Sequence, residues 1–170
     1  CKLVLLGRTP LADEPAAWAT AKNDAELKRT LLEDAKRRGE AVTPTELSAR
    51  AERILANREI RSTIERVRAV GGDARYDAVD VQRTDDVARL LADVRQSWGP
   101  IAGLVHGAGV IADKLVEQKT DAQFDRVFDT KVKGLRALLS ATKDDPIVMM
   151  CFFSSVAGRT GNRGQCDYAM

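Results

Sequence analysis

IAGLVHGAG, Ile101–Gly109, is the stretch on which the fold turns. Its first six residues are mostly apolar, and Gly99-Pro100 precedes them. Gly107-Ala108-Gly109 follows. A short apolar run with such bounds reads as a strand that hands its last residue to a glycine-rich turn. Working outward, strand and helix patterns alternate. On the N-terminal side, Thr84-Asp85-Asp86 opens a helix predicted to run through Trp98, closed by Gly99-Pro100. ARYDAVD (Ala74–Asp80) reads as a strand, and KLVLLG (Lys2–Gly7) as a buried one. On the C-terminal side, Thr120 to about Lys143 is a strongly amphipathic helix, and Ile147–Phe153 is a buried strand. Ser154 to Arg163 reads as loop, and Gly164 to Met170 as the start of a helix. This alternation predicts an α/β, Rossmann-like doubly wound parallel sheet with helices on both faces and right-handed crossovers.

Between the first two strands lies a polar, helix-rich insertion, from Asp13 to about Val70. Asn23-Asp24-Ala25-Glu26 and Thr43-Pro44-Thr45-Glu46 both have capping-box spacing, the second with Pro at the first helical position. In the helix after Thr43, Leu47, Ala51, Ile54 and Leu55 share one face. Ile60, Ile64 and Val67 fall nearly opposite. Either the helix has two packing partners or it kinks near Asn57. Gly71-Gly72 ends it.

The 170 residues suffice for one domain. With 44% hydrophobic and 31% charged residues, the chain is globular rather than disordered. A formal net charge of +2 points neither to nucleic acid nor to an acidic membrane. No apolar run approaches a membrane span, and no secretory signal is visible. Cys1, Cys151 and Cys166 lack metal-ligand spacing, and His106 is the only histidine, so no metal site is expected. Cys151, inside an apolar run, reads as a small core residue. A reducing, cytoplasmic setting is the simplest inference. There is no initiator Met and Lys2 already begins a strand. The chain is therefore expected to be an excerpt: one partial domain over residues 1–170, with the insertion at about 13–70.

Ligands of doubly wound sheets bind beyond the C-terminal ends of the strands. The first strand delivers Gly7-Arg8-Thr9, the second Asp80-Val81. The third delivers His106 and the Gly107-Ala108-Gly109 turn, the fourth Ser154-Ser155. Arg8 is either a solvated surface residue or a group placed for a ribose 2′-phosphate, which favours NADP over NAD. Gly107 and Gly109 allow close backbone approach, though such a pair is also a common turn. On the long helix, Phe124, Val127, Phe128, Leu135 and Leu138 form an apolar stripe with Lys131 in its middle; Lys133 lies on the opposite side. A lysine there either snorkels or has a partner or a task. Tyr168 lies 13 residues after Ser155. It is either an ordinary amphipathic aromatic or a group facing the same pocket as that serine.

Taken together, these residues resemble the ketoreductase domains of modular and iterative synthases, a branch of the short-chain dehydrogenase/reductase family. The matching segments are LLGRTPL (Leu5–Leu11), AVDV (Ala78–Val81), GPIAGLVHGAGVIADKL (Gly99–Leu115), FDRVFDTKVKGLRAL (Phe124–Leu138) and FFSSVAGRTGNRGQCDYAM (Phe152–Met170). Ordinary short-chain dehydrogenases carry the catalytic Lys shortly after the Tyr and an Asn on the preceding helix. Synthase ketoreductases exchange the two, and Lys131 fits that pattern. The matching Asn falls at position 172, beyond this chain. The phosphate loop falls before Cys1, so the isolated fragment is expected to be inactive. The long insertion with ANREIRSTIERV (Ala56–Val67) is similar to ketoreductases of polyunsaturated-fatty-acid-type synthases.

The resemblance implies NADPH-dependent reduction of a 3-oxoacyl thioester, held by phosphopantetheine on an acyl carrier domain, with neighbouring synthase domains as further partners. It implies Lys131, Ser155 and Tyr168 as catalytic residues. Cofactor contacts fall to Arg8, Asp80, Val81, Gly107, Ala108, Gly109, Lys131 and Tyr168. Asp113, the last residue of Ile111-Ala112-Asp113, stands where one stereochemical class carries the final Asp of a Leu-Asp-Asp motif. Thr160 stands where the opposite class carries Trp. The pattern leans to a (3R)-hydroxy product. The rivals are a stand-alone dehydrogenase on a free substrate and a non-catalytic structural half. A third reading makes the insertion, Asp13 to about Val70, a helical protein-interaction element, which can coexist with the reductase reading.

Overall fold

A computed structural model describes residues 1–169. They divide into two compact units, residues 1–78 and Val79 onward. In the first unit, β1 (Lys2–Gly7) and β2 (Asp73–Ala78) pair in parallel, Lys2 opposite Asp73 and Gly7 opposite Ala78. Between them run α1 (Ala16–Ala19), α2 (Asp24–Arg37) and α3 (Pro44–Ala69). Asn23 caps α2 by accepting from the Glu26 N–H, and Thr43 opens α3 with a complete capping box.

Helix α3 is continuous, so of the two readings of its faces the pair of packing partners holds. Leu47, Ala51, Ile54 and Leu55 close a small core with Trp18, Ala21, Leu27 and Leu31. The C-terminal half packs on β2. Where a kink was possible, polar pins hold the chain instead. Buried Asn57 accepts from Ala12 N at 2.8 Å and donates to Pro10 O at 3.3 Å and Arg53 O at 2.8 Å. Arg58 grips Glu14, with Nε–Oε2 at 2.9 Å, and donates to Ala21 O at 2.6 Å and Trp18 O at 2.8 Å. Strand β1 is half-buried rather than buried, and Leu3 is exposed.

The second unit contains α4 (Thr84–Trp98), β3 (Gly103–His106), a single 3-10 turn (Val116–Gln118), α5 (Asp121–Ala141), β4 (Met149–Phe152) and α6 (Ala157–Thr160). Strands β3 and β4 are parallel, Gly103 opposite Met149 and His106 opposite Phe152. Helices α4 and α5 pack together, burying Val87, Leu91, Val94, Val127, Ala137 and Leu138. Arg95 of α4 binds Asp145 with Nε–Oδ1 at 3.0 Å, and Asp145 also accepts from Ile101 N at 3.1 Å. That pairing holds the Asp145 carboxyl below its ordinary range and raises the guanidinium.

Strand–helix alternation with parallel pairing bears out the α/β reading. Several expected boundaries change. The second strand stops at Ala78, because Asp80 closes a turn: its carbonyl accepts from Arg83 N at 2.9 Å and its carboxylate from Gln82 N at 3.0 Å. The run Ile147–Phe153 is strand only over β4, and every β4 residue, including Cys151, is exposed. A parallel strand is buried only by packing on both faces, and among the described residues β4 is left about half covered, with Met149, Met150 and Phe152 all exposed. The loop after β4 contains α6. No helix forms between Gly164 and Ala169. Tyr168 N and Ala169 N both reach Gln165 O, at 3.1 and 2.9 Å, which makes a single turn. Met170, the end of the expected helix start, lies outside the described residues. No helix among the described residues is long and apolar enough to cross a membrane.

Candidate active site

Helix α5 is the backbone of the site. Thr120 caps it reciprocally with Gln123, and its apolar stripe buries Val127 and Leu138. The same face carries Lys131 toward the ends of β3 and β4. Its ammonium donates to Phe153 O at 3.0 Å and stands 5.2 Å from the centre of the Tyr168 ring. This is the partner that a lysine on an apolar stripe requires, and it lies within cation–π range of the phenol ring. Lys133 points away and pairs with Asp129.

Gly109 completes the cluster. A Cβ on it would lie 3.6 Å from both Cε and Nζ of Lys131 and 4.0 Å from the Tyr168 ring. Gly107 stands against Phe153 in the same way, with a Cβ there 3.5 Å from the phenyl ring. Ala108, between them, is half-buried. Ser155, two residues beyond the carbonyl that Lys131 holds, is half-buried; its Oγ accepts from Ala157 N at 3.2 Å and keeps its proton for donation. Asp113 accepts from Gln165 Nε2 at 2.8 Å, three residues before Tyr168. Asp80 is spent on its own turn, while Val81 is buried against α5. Arg8 lies in the other unit, exposed, just past β1. Among the described residues no three His, Cys, Asp or Glu side chains gather as metal ligands.

Three supporting features escaped sequence reasoning. The first is Gly134, one helical turn after Lys131. A Cβ there would lie 2.8 Å from Val81 Cγ2 and 3.3 Å from His106 Cε1. A glycine inside a strongly periodic helix was the available signal. Gly134→Val is expected to cost about 2 kcal/mol by overpacking, read as a lower denaturation midpoint. The second is His106, 6% exposed, whose Nε2 lies 3.0 Å from Lys131 O. A carbonyl only accepts, so Nε2 carries the hydrogen.

Burial pushes the His106 pKa down; the bond to Lys131 O opposes this, and the Lys131 charge adds to it. The folded state therefore favours neutral imidazole. Its stabilisation is complete above the unfolded histidine value of about 6.5 and is lost as pH falls below it. The wild-type melting temperature should drop as pH falls below about 6.5, and His106→Gln should flatten that drop. The third feature is a buried ion pair, Lys119–Asp167, with Nζ–Oδ2 at 2.6 Å. It lies in irregular backbone, where no periodicity marks it.

Residues 2–170 match the family model described as the KR domain. The chain is 36% identical over 99% of its length to a polyunsaturated fatty acid synthase polypeptide of Thraustochytrium sp., and covers 6% of that protein. Among solved structures it is similar to a ketoreductase domain from the bacillaene assembly line, at TM-score 0.63 and 26% identity over 99% of this chain and 36% of that one. It is likewise similar to an N-terminal ketoreductase from the macrolactin assembly line, at TM-score 0.64 and 28% identity over 66% of this chain and 23% of that one. A lysine on the long helix, a phenol beside it and a family match over nearly the whole length agree: this chain belongs to the KR, or ketoreductase, domain family of the short-chain dehydrogenase/reductase fold.

Proposed function

We propose that this chain carries the catalytic residues of an NADPH-dependent reductase that converts a carrier-bound 3-oxoacyl thioester to the (3R)-hydroxyacyl thioester. The observation that carries the reading is the Lys131 ammonium 5.2 Å from the Tyr168 ring, with Gly109 against both. A glycine backbone at that point leaves space for a flat ring to lie close to the two side chains, which fits a nicotinamide. A bound nicotinamide supplies hydride to the carbonyl carbon. The chain's own residues handle the oxygen.

Ser155 donates a hydrogen bond to the keto oxygen and holds it toward Tyr168. The Tyr168 hydroxyl gives its proton to that oxygen as negative charge builds there. The Lys131 ammonium stabilises the phenolate left behind until solvent returns a proton. Asp80, Val81, Gly107 and Ala108 are proposed to shape the cofactor's contact with the strand ends. Arg8 is proposed to hold the 2′-phosphate through charge-assisted hydrogen bonds. Asp113 is proposed to guide the substrate's entry face, supported by its bond to Gln165 near Tyr168. That both units serve one reductase domain is supported by the family match over residues 2–170. The implied partners are an acyl carrier domain bearing phosphopantetheine and the neighbouring domains of a cytoplasmic synthase.

The test supplies the full-length protein with a 3-oxoacyl thioester and either NADPH or NADH. The expected result is oxidation of NADPH, matched by formation of the alcohol, with at least tenfold preference over NADH; one charge-assisted contact to the 2′-phosphate is worth about that. Chiral analysis should return mainly 3R alcohol. Failure to form any alcohol overturns the reading, and mainly 3S product overturns the role of Asp113.

A further inference from the structure

Two segments meet at the candidate site: the stretch after the β3 turn, residues 111–119, and the stretch that presents Tyr168, residues 162–169. Three contacts lace them together. Lys114 N donates to Gly164 O at 3.0 Å, Gln165 Nε2 to Asp113 Oδ2 at 2.8 Å, and Lys119 Nζ to Asp167 Oδ2 at 2.6 Å. The last differs from the others in burial. The side chains of Lys119 and Asp167 are 3% and 0% exposed. The same ammonium donates to Ala112 O at 2.8 Å, so it clasps both ends of its own loop as well as Asp167. Asp167 Oδ1 is buried with no hydrogen-bond partner among the described residues.

Such an arrangement is a poor way to gain stability. Burying two charges costs desolvation that their attraction barely repays, and an apolar pair of equal volume often serves as well or better. An unsatisfied carboxylate oxygen worsens the balance. What a buried, two-acceptor ammonium does supply is direction. Asp167 is the residue immediately before Tyr168, so fixing its carboxylate fixes the base of the phenol. The charge matters too. An uncompensated carboxylate one residue from Tyr168 would oppose negative charge growing on the phenol oxygen. Paired with Lys119 it is neutralised, and the field at the phenol is left to Lys131.

We propose that the Lys119–Asp167 ion pair is a positioning element that locks Tyr168 against Lys131 and removes the Asp167 charge from the reacting centre. The inference rests on the reading of Tyr168 as proton donor. It is tested in the full-length protein by steady-state reduction of a 3-oxoacyl thioester and by melting temperature. Asp167→Ala should lower kcat about tenfold or more with KM nearly unchanged, since a displaced acid slows chemistry rather than substrate capture. Asp167→Asn keeps an acceptor for the ammonium and should restore most of the lost kcat. Lys119→Met combined with Asp167→Leu should melt close to wild type yet keep the low kcat.

A merely structural pair predicts otherwise: equal losses for Asp167→Ala and Asp167→Asn, or full kcat in the apolar double variant. Either result overturns the proposal. If the double variant does not fold, the Ala and Asn comparison still decides. The two readings fail separately. Turnover that survives Tyr168→Phe removes the proton donor itself, whereas normal turnover in Asp167→Ala with an inactive Tyr168→Phe removes only the positioning role.

Discussion

Replacing Tyr168 with Phe in the full-length protein is expected to cut turnover of a 3-oxoacyl thioester by roughly 10²–10⁴-fold, the usual worth of a positioned general acid. The substitution removes one oxygen and keeps the ring. Packing against Gly109 and the cation–π contact with Lys131 therefore survive, and folding should be unaffected. NADPH affinity should fall by less than about tenfold, the limit set by one neutral hydrogen bond. Stopped-flow binding alongside steady-state turnover separates the two. Turnover within threefold of wild type, roughly 0.7 kcal/mol in barrier, would falsify the assignment.

Lys131→Met is expected to lower kcat by about 10²–10³-fold, the cost of removing one preorganised electrostatic group from a reacting centre. It should act differently from the tyrosine change. Methionine fills the same stretch of α5 and suits the apolar stripe between Val127 and Leu138. Phe153 O loses its donor, but Phe153 is 61% exposed and water can replace the bond. Melting temperature should thus hold or rise while turnover collapses. NADPH binding should weaken as well if Lys131 is among the cofactor contacts that the family resemblance implies. A variant that melts far below wild type would instead make Lys131 a structural residue.

Helices α3, α4 and α5 were legible almost to the residue, whereas α6 was read as loop and the helix expected from Gly164 onward is a single turn. The α4 limits follow from Asp85 and Asp86 in the first turn and a glycine stop, and the α3 start follows from its capping box. These are local signals, written in neighbouring residues. Lys131 was legible because a charge interrupts a periodic stripe. What could not be read depends on residues distant in sequence. Cys151 looked buried because composition marks a strand as apolar and says nothing of what covers it. Lys119 and Asp167 are 48 positions apart in irregular backbone, and each alone is an unremarkable polar residue. Asn57 marked the right place on α3 for the wrong reason. It anchors the incoming chain and does not bend the helix.

The helical excursion between β1 and β2 has its own apolar centre and its own polar pins at Asn57 and Arg58, while the strands it connects are paired edge to edge. The two ends of the excursion thus leave from and return to adjacent points, whatever lies between. Doubling the length of such a detour costs only about 0.6 kcal/mol in closure entropy. Lengthening or trimming the excursion should therefore carry little penalty to the pairing of β1 with β2.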